Sequence, residues 1–175
     1  TDAQINVLKE IRNDLGSSKP MNRLIQGDVG SGKTIVSVLA AAIVISHGSQ
    51  VAIMAPTEIL ADQHYISFKK IWEPAKINIA ILTGKMKKGD RKKIYNGLGN
   101  GEIQLVVGTH ALIQEGVSFK DLGMIIVDEQ HRFGVEQRKA LIDKGYSPEI
   151  LALTATPIPR TLTFTIHGDM DISII

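Results

Sequence analysis

The chain alternates between short, unbroken apolar runs and longer stretches in which apolar residues return every three or four positions. The runs predict strands at about Arg23–Gln26, Val51–Ala55, Ile77–Leu82, Gln104–Val107, Met124–Val127 and Ile150–Leu153. The periodic stretches predict helices over Asp2–Leu15, Lys33–His47, Glu58–Ile71, Asp90–Leu98 and Val135–Lys144, with a short turn near Thr109–Gln114. Gly16, Gly48 and Gly145 close three of these helices, as helix C-termini favour. Strands that are apolar along their whole length, rather than at alternate positions, are buried on both faces, which indicates a parallel sheet. The expected fold class is therefore α/β, doubly wound with helices on both faces, as a single domain over residues 1–175. Ile172–Ile175 reads as a further strand with nothing after it, and Thr1 is not an initiator methionine. The expectation is an excerpt of a longer protein.

In such sheets ligands bind outside the carboxyl ends of the strands. The polar stretches that interrupt the pattern all fall there: "QGDVGSGKT", "PTE", "TGK", "GTH", "DEQH" and "TATP" follow successive strands. Gly27 to Thr34 fits G-x-x-x-x-G-K-[ST] between a strand and a helix, the setting a phosphate loop requires. Its fixed positions would match by chance in roughly one chain of this length per hundred or two. Glycines let backbone N–H groups converge on phosphate oxygens, and the helix start adds its positive end. Lys33 would reach the β- and γ-phosphates, and the Thr34 hydroxyl would ligate Mg²⁺.

The run "IIVDEQHRFG" places two acids at the end of an apolar strand. Burying neighbouring carboxylates costs several kcal/mol unless a cation offsets it. A magnesium nucleotide is such a cation source: Asp128 would hold Mg²⁺ directly or through water, and Glu129 would orient and deprotonate the attacking water. Gln130 and His131 exceed what hydrolysis needs and suit reporting the γ-phosphate to another surface. Thr154 and Thr156, on the next strand end, offer hydroxyls able to bond such reporters.

Composition narrows the reading without deciding it. The 175 residues suit one ordinary domain, and 43% hydrophobic with 22% charged residues excludes disorder as the main description. A net charge of +2 neither demands nor forbids nucleic acid, so any polyanion site must come from local clustering. With no cysteine there is no disulfide framework, zinc ribbon or thiol nucleophile, and a reducing cytoplasm is the natural compartment. The longest apolar run, Val38 to Ile45, is far short of a membrane span.

Taken in order, "GDVGSGKT", "APTEILADQH", "VVGTHAL", "VDEQHRFG" and "TATPIPRT" resemble motifs I, Ia, Ib, II and III of superfamily 2 helicases. In detail the chain is similar to the RecG family of bacterial ATP-dependent DNA helicases, which remodel branched DNA at Holliday junctions and stalled forks. The related transcription-repair coupling factors share "HRFG" and "TATPIPRT" but usually carry Glu where Gln130 stands and Phe where Ser31 stands.

The resemblance covers essentially the whole chain and implies the first of two RecA-like motor lobes, with the second lobe and a wedge domain elsewhere in the same protein. It implies ATP and Mg²⁺ as cofactors, branched or duplex DNA as partner, and a monomer. Gly27, Asp28, Val29, Gly30, Ser31, Gly32, Lys33 and Thr34 would hold the nucleotide, with Gln4 on the adenine edge. Lys33, Asp128, Glu129, Gln130 and His131 would be catalytic, with Thr34 and Asp128 on the metal. Pro56, Thr57, Glu58, Gly84, Thr109 and His110 would touch the DNA backbone, positioning without reading sequence. Thr154, Ala155 and Thr156 would couple ATP state to DNA and to the second lobe. The isolated lobe would be nearly inactive.

Other features stay open. "KMKKGDRKK", with six basic residues in nine, is either a solvated helix face or a DNA patch. Phe68 and Trp72 read as core or lobe packing, and Arg132 and Arg160 as γ-phosphate or lobe contacts or structural ion pairs. The competing functions are the lobe of a transcription-repair coupling factor-like DNA translocase or of an RNA helicase, and a nucleotide-gated binding module without translocation.

Overall fold

In the computed structural model, which describes residues 1–157 and 169–175, the apolar runs assemble into one seven-stranded sheet whose paired strands are all parallel. The strands are β1 (Asn22–Gln26), β2 (Gln50–Met54), β3 (Ile79–Leu82), β4 (Leu105–Gly108), β5 (Leu122–Asp128), β6 (Glu149–Thr154) and β7 (Asp171–Ile174), in spatial order β3-β4-β2-β5-β6-β1-β7. The helices are α1 (Asp2–Leu15), α2 (Lys33–Ser46), α3 (Glu58–Trp72), α4 (Lys88–Asn100) and α5 (Val135–Ile142). Pro159 and Arg160 lie outside the described residues, and with them the end of "TATPIPRT".

The period of two along each strand divides the core into two layers. Val51, Ile53, Leu105, Val107, Met124, Ile126, Leu151 and Leu153 pack in one layer with Val7 and Ile11 of α1, Val36 and Val44 of α2, and Phe68 and Trp72 of α3. Ala52, Met54, Val106, Ile125 and Val127 pack in the other with Leu98 of α4 and Leu141 of α5. The doubly covered sheet is thus as expected. Phe68 and Trp72 are core residues, with ring centroids 5.2 Å apart, edge to face.

Some boundaries differ for identifiable reasons. β3 starts at Ile79 rather than Ile77 because Asn78 is tied sideways: its backbone N–H donates to Gln104 Oε1 at 3.1 Å and its side chain to the Glu102 carbonyl at 2.9 Å. α5 stops at Ile142 rather than Lys144, and Lys144 Nζ instead donates to the carbonyls of Gln114 and Val117 at 2.9 and 2.7 Å. α4 begins at Lys88, two residues before the expected start.

At the other end of the sheet, buried Arg23 on β1 bonds Asp14 of α1 at 2.6 Å, Glu10 at 3.2 Å and Ser173 of β7 at 2.8 Å. Burial works against its charge, but the bond to Asp14 and the nearby Glu10 and Asp171 carboxylates outweigh it and hold the guanidinium above its usual pKa. This network locks α1 and β7 onto β1.

Candidate functional site

Because the strands are parallel, all their carboxyl ends share one rim, and the strand order sorts what stands on it. β3, β4 and β2 lie side by side, followed by β5, β6 and β1. The first group carries Gly84, Thr109 with His110, and Pro56 to Glu58; the second carries Asp128 with Glu129, Thr154 to Thr156, and the Gly27–Thr34 loop. One half of the rim therefore holds the residues expected to meet a nucleic-acid backbone, and the other those expected to meet nucleotide.

The loop after β1 runs into α2, whose N-cap is Gly32. Unlike α1 and α3, which are capped by the hydroxyls of Thr1 and Thr57, α2 has no side-chain cap and no acid in its first turn. Its leading N–H groups are therefore free of a competing side-chain acceptor, the condition for gripping an anion. Gly30 and Gly32 have φ of 83° and 96°, conformations that side-chain-bearing residues adopt only under strain. Lys33 folds over the loop, its Nζ donating to the carbonyls of Gly27 at 2.5 Å and Asp28 at 2.7 Å.

Gln4 is drawn into the same loop. It completes a capping box with Thr1, and its Nε2 donates to the Ser31 carbonyl at 2.8 Å. A Cβ built on Gly32 would lie 2.0 Å from that Nε2. Gly32→Ala therefore combines a left-handed alanine with displacement of Gln4. The strain is of the order of 1–3 kcal/mol, which predicts a loss of nucleotide affinity of about five- to 150-fold. Titration with a fluorescent ADP analogue measures it. Unchanged affinity in Gly32→Ala would show that the loop conformation is not what holds the ligand.

Across the loop stand the acids. Asp128 ends β5 and is 9% exposed; Glu129 follows with φ 48°, one of three described non-glycine residues at positive φ. That turn leaves Glu129 Oε1 to accept from the Ala155 backbone N–H at 3.2 Å, while Oε2 lies 3.5 Å from His131 Nδ1. Gln130 is buried and donates to Met170 Sδ at 3.4 Å. The Thr154 hydroxyl accepts from the Thr156 N–H at 3.1 Å. Beyond the strand pairing that runs to Asp128 and Leu153, the Ala155 amide on Glu129 ties the β5 and β6 ends.

Val29, Gly30, Lys33 and Thr34 on one wall, and Asp128, Glu129, Leu153 and Ala155 on another, line a single cleft of about 240 Å³. A third wall escaped the sequence reading. Leu60, Gln63, His64 and Ser67 of α3 face the same cleft, at the i, i+3, i+4, i+7 spacing of one helix face. His64 Nε2 lies 2.7 Å from Asp128 Oδ2. The signal lay in "APTEILADQH", which ends on that histidine, but spacing along a helix names a face without saying what it meets.

The donor set suits a hard cation: a hydroxyl from Thr34 and a carboxylate from Asp128, both on the cleft. Among the described residues no three His, Cys, Asp or Glu side chains gather to hold an ion by themselves. The Thr34 hydroxyl and Asp128 carboxylate are the share of a shell that Mg²⁺ would take from a protein, phosphate and water oxygens completing it.

On the other half of the rim, Glu58 Oε2 takes Lys85 Nζ at 2.7 Å, and this bond raises the pKa of the exposed lysine. A carboxylate facing phosphates would repel them, so the pairing neutralises the one acid in this group. The Gly84 carbonyl accepts from Arg91 Nη2 at 2.9 Å. Thr109 is 8% exposed, whereas His110 is exposed and packs on Phe133 with ring centroids 5.6 Å apart. Arg132 is exposed.

Residues 1–164 match the family described as DEAD/DEAH box helicase. The ATP-dependent DNA helicase RecG of Aquifex aeolicus is 54% identical over 177 aligned residues, covering 100% of this chain and 22% of the relative. The Bacillus subtilis RecG is 54% identical over 175, covering 100% and 26%. This chain thus spans about a quarter of the length of these curated relatives. A structure of RecG bound to a three-way DNA junction matches with TM-score 0.86 at 47% identity, over 99% of this chain and 24% of that one. The Pyrococcus furiosus Hef helicase domain matches with TM-score 0.73 over 98% and 37%, and at 23% identity that likeness speaks to the fold alone.

Proposed function

Because the chain belongs to the DEAD/DEAH box helicase family, we propose that it is the ATP-binding motor lobe of a DNA helicase that remodels branched DNA. The observation that carries this is the single cleft shared by the Lys33–Thr34 loop and the Asp128–Glu129 pair, beside a rim half on which Thr57, Gly84 and His110 are exposed. In this reading Lys33 exchanges the Gly27 and Asp28 carbonyls for β- and γ-phosphate oxygens. The first-turn amides of α2 hold the same phosphates, and Gln4 fixes the loop beneath the adenine. Mg²⁺ held by Thr34 and Asp128 supplies positive charge to the phosphates and offsets the buried acid. Glu129, aimed by the Ala155 amide, takes the proton of the attacking water, and His131 beside it senses the loss of the γ-phosphate. Ala155, with Thr154 and Thr156, carries that change towards a second lobe. Pro56 to Glu58, Gly84, Thr109 and His110 seat the DNA backbone.

The identity to RecG proteins, one of them solved on a three-way junction, supports a branched substrate. No helix among the described residues is long and apolar enough to cross a membrane, and the proposed site of action is the cytoplasm. The reading is tested by the ATPase rate of the full-length protein with branched DNA, linear duplex, single strand and RNA. Strongest stimulation by branched DNA is expected. Stimulation by RNA alone would favour an RNA helicase, and stimulation by none a nucleotide-gated binding module.

A further inference from the structure

The side chains of His64 and Asp128 are each 12% exposed and meet at 2.7 Å, a contact that neither the phosphate loop nor the acid pair requires. An ionised carboxylate only accepts hydrogen bonds. Nε2 therefore carries the proton and donates to Oδ2, which leaves Oδ1 as the oxygen without an imidazole on it. A carboxylate with one oxygen pinned has lost its rotation about the last side-chain bond.

The pin itself is rigid. α3 is anchored by Ala61, Phe68 and Trp72 in the core. It starts at the Thr57 cap, whose hydroxyl accepts from the Leu60 N–H at 3.2 Å. His64 stands seven positions after Thr57, about 10 Å along the helix. One stiff rod, packed on β3 and β4, thus begins on the rim half that follows β2 and holds the acid at the end of β5 through His64.

We propose that His64 is a positioning residue for Asp128: by donating Nε2–H to Oδ2 it fixes the orientation in which Oδ1 meets the nucleotide's metal ion. The inference rests on the magnesium-nucleotide reading above. Groups that orient a metal-ligating carboxylate are worth roughly 10–100-fold in metal affinity. A merely structural histidine, stapling α3 to β5, would instead affect the whole cleft.

The experiment uses Mn²⁺, visible by electron paramagnetic resonance, titrated into the protein with ADP. A fluorescent ADP analogue is titrated in parallel in EDTA to read metal-free nucleotide binding. His64→Ala is expected to weaken Mn²⁺ binding by about 10–100-fold while metal-free nucleotide affinity stays within about twofold. His64→Gln, whose amide can place an N–H near the Nε2 position, is expected to recover most of the Mn²⁺ affinity. Equal Mn²⁺ affinity in His64→Ala and the unsubstituted protein would overturn the proposal, as would a parallel loss of metal-free nucleotide binding or a His64→Gln variant no better than His64→Ala. If the unsubstituted protein with ADP holds no Mn²⁺, the magnesium-nucleotide reading fails first, a result distinct from the other three.

Discussion

Replacing Glu129 by glutamine will lower ATP turnover by about 10³-fold, within the 10²–10⁴ range typical of a lost general base, and leave nucleotide affinity nearly unchanged. Glutamine keeps the length of the side chain and an oxygen that can accept from the Ala155 N–H, 3.2 Å from Glu129 Oε1 in the native cleft. It loses the ability to take a proton, together with the negative charge that faces His131 Nδ1 at 3.5 Å. The left-handed backbone at Glu129, φ 48°, is unfavourable for a side-chain-bearing residue and costs roughly 1–3 kcal/mol. That strain is retained at the one position where an extended continuation of β5 would send the carboxylate elsewhere. Phosphate release at saturating DNA reads the turnover, and a fluorescent ATP analogue reads the affinity. A fall of less than tenfold would remove Glu129 from the role of base; a parallel collapse of affinity would make it a structural acid.

The elements of this fold were legible because each obeys a local rule. Unbroken apolar runs can be buried only between two helical layers, and Val51, Ile53 and Ala52 do divide between the two core layers as that requires. The phosphate loop was legible because the reversed turns at Gly30 and Gly32 depend on residue type and spacing alone. What stayed hidden depends on residues far apart in the chain. Nothing local says that β7 pairs with β1, or that β5 comes to lie between β2 and β6. Without that order His64 is a polar residue on a helix face, and only the sheet brings Asp128, 64 positions later, to within 2.7 Å. The shortened β3 has the same origin, since Asn78 is held by residues 102 to 104. The role of Glu58 is equally non-local: its pairing with Lys85 depends on where β3 ends.

The 175-residue chain by itself will hydrolyse ATP about 10³–10⁵-fold more slowly than the full-length protein with DNA, and will separate no strands. The transition state of phosphoryl transfer spreads negative charge over the γ-phosphate oxygens, and an arginine finger is worth that factor in enzymes that use one. Among the described residues lining the cleft there is one lysine, Lys33, and no arginine. Lys33 already serves the loop end of the phosphates, so no arginine or second lysine among the described residues lining the cleft is left for the far side of the γ-phosphate. Under the proposed function, a guanidinium from a second lobe would fill that side and tie hydrolysis to lobe closure. Steady-state rates for the chain and for the full-length protein, each with saturating branched DNA, decide the matter. Rates within tenfold of each other would mean that the missing cation is supplied from inside the chain. Arg132, exposed just past the acid pair, would then be the first residue to replace.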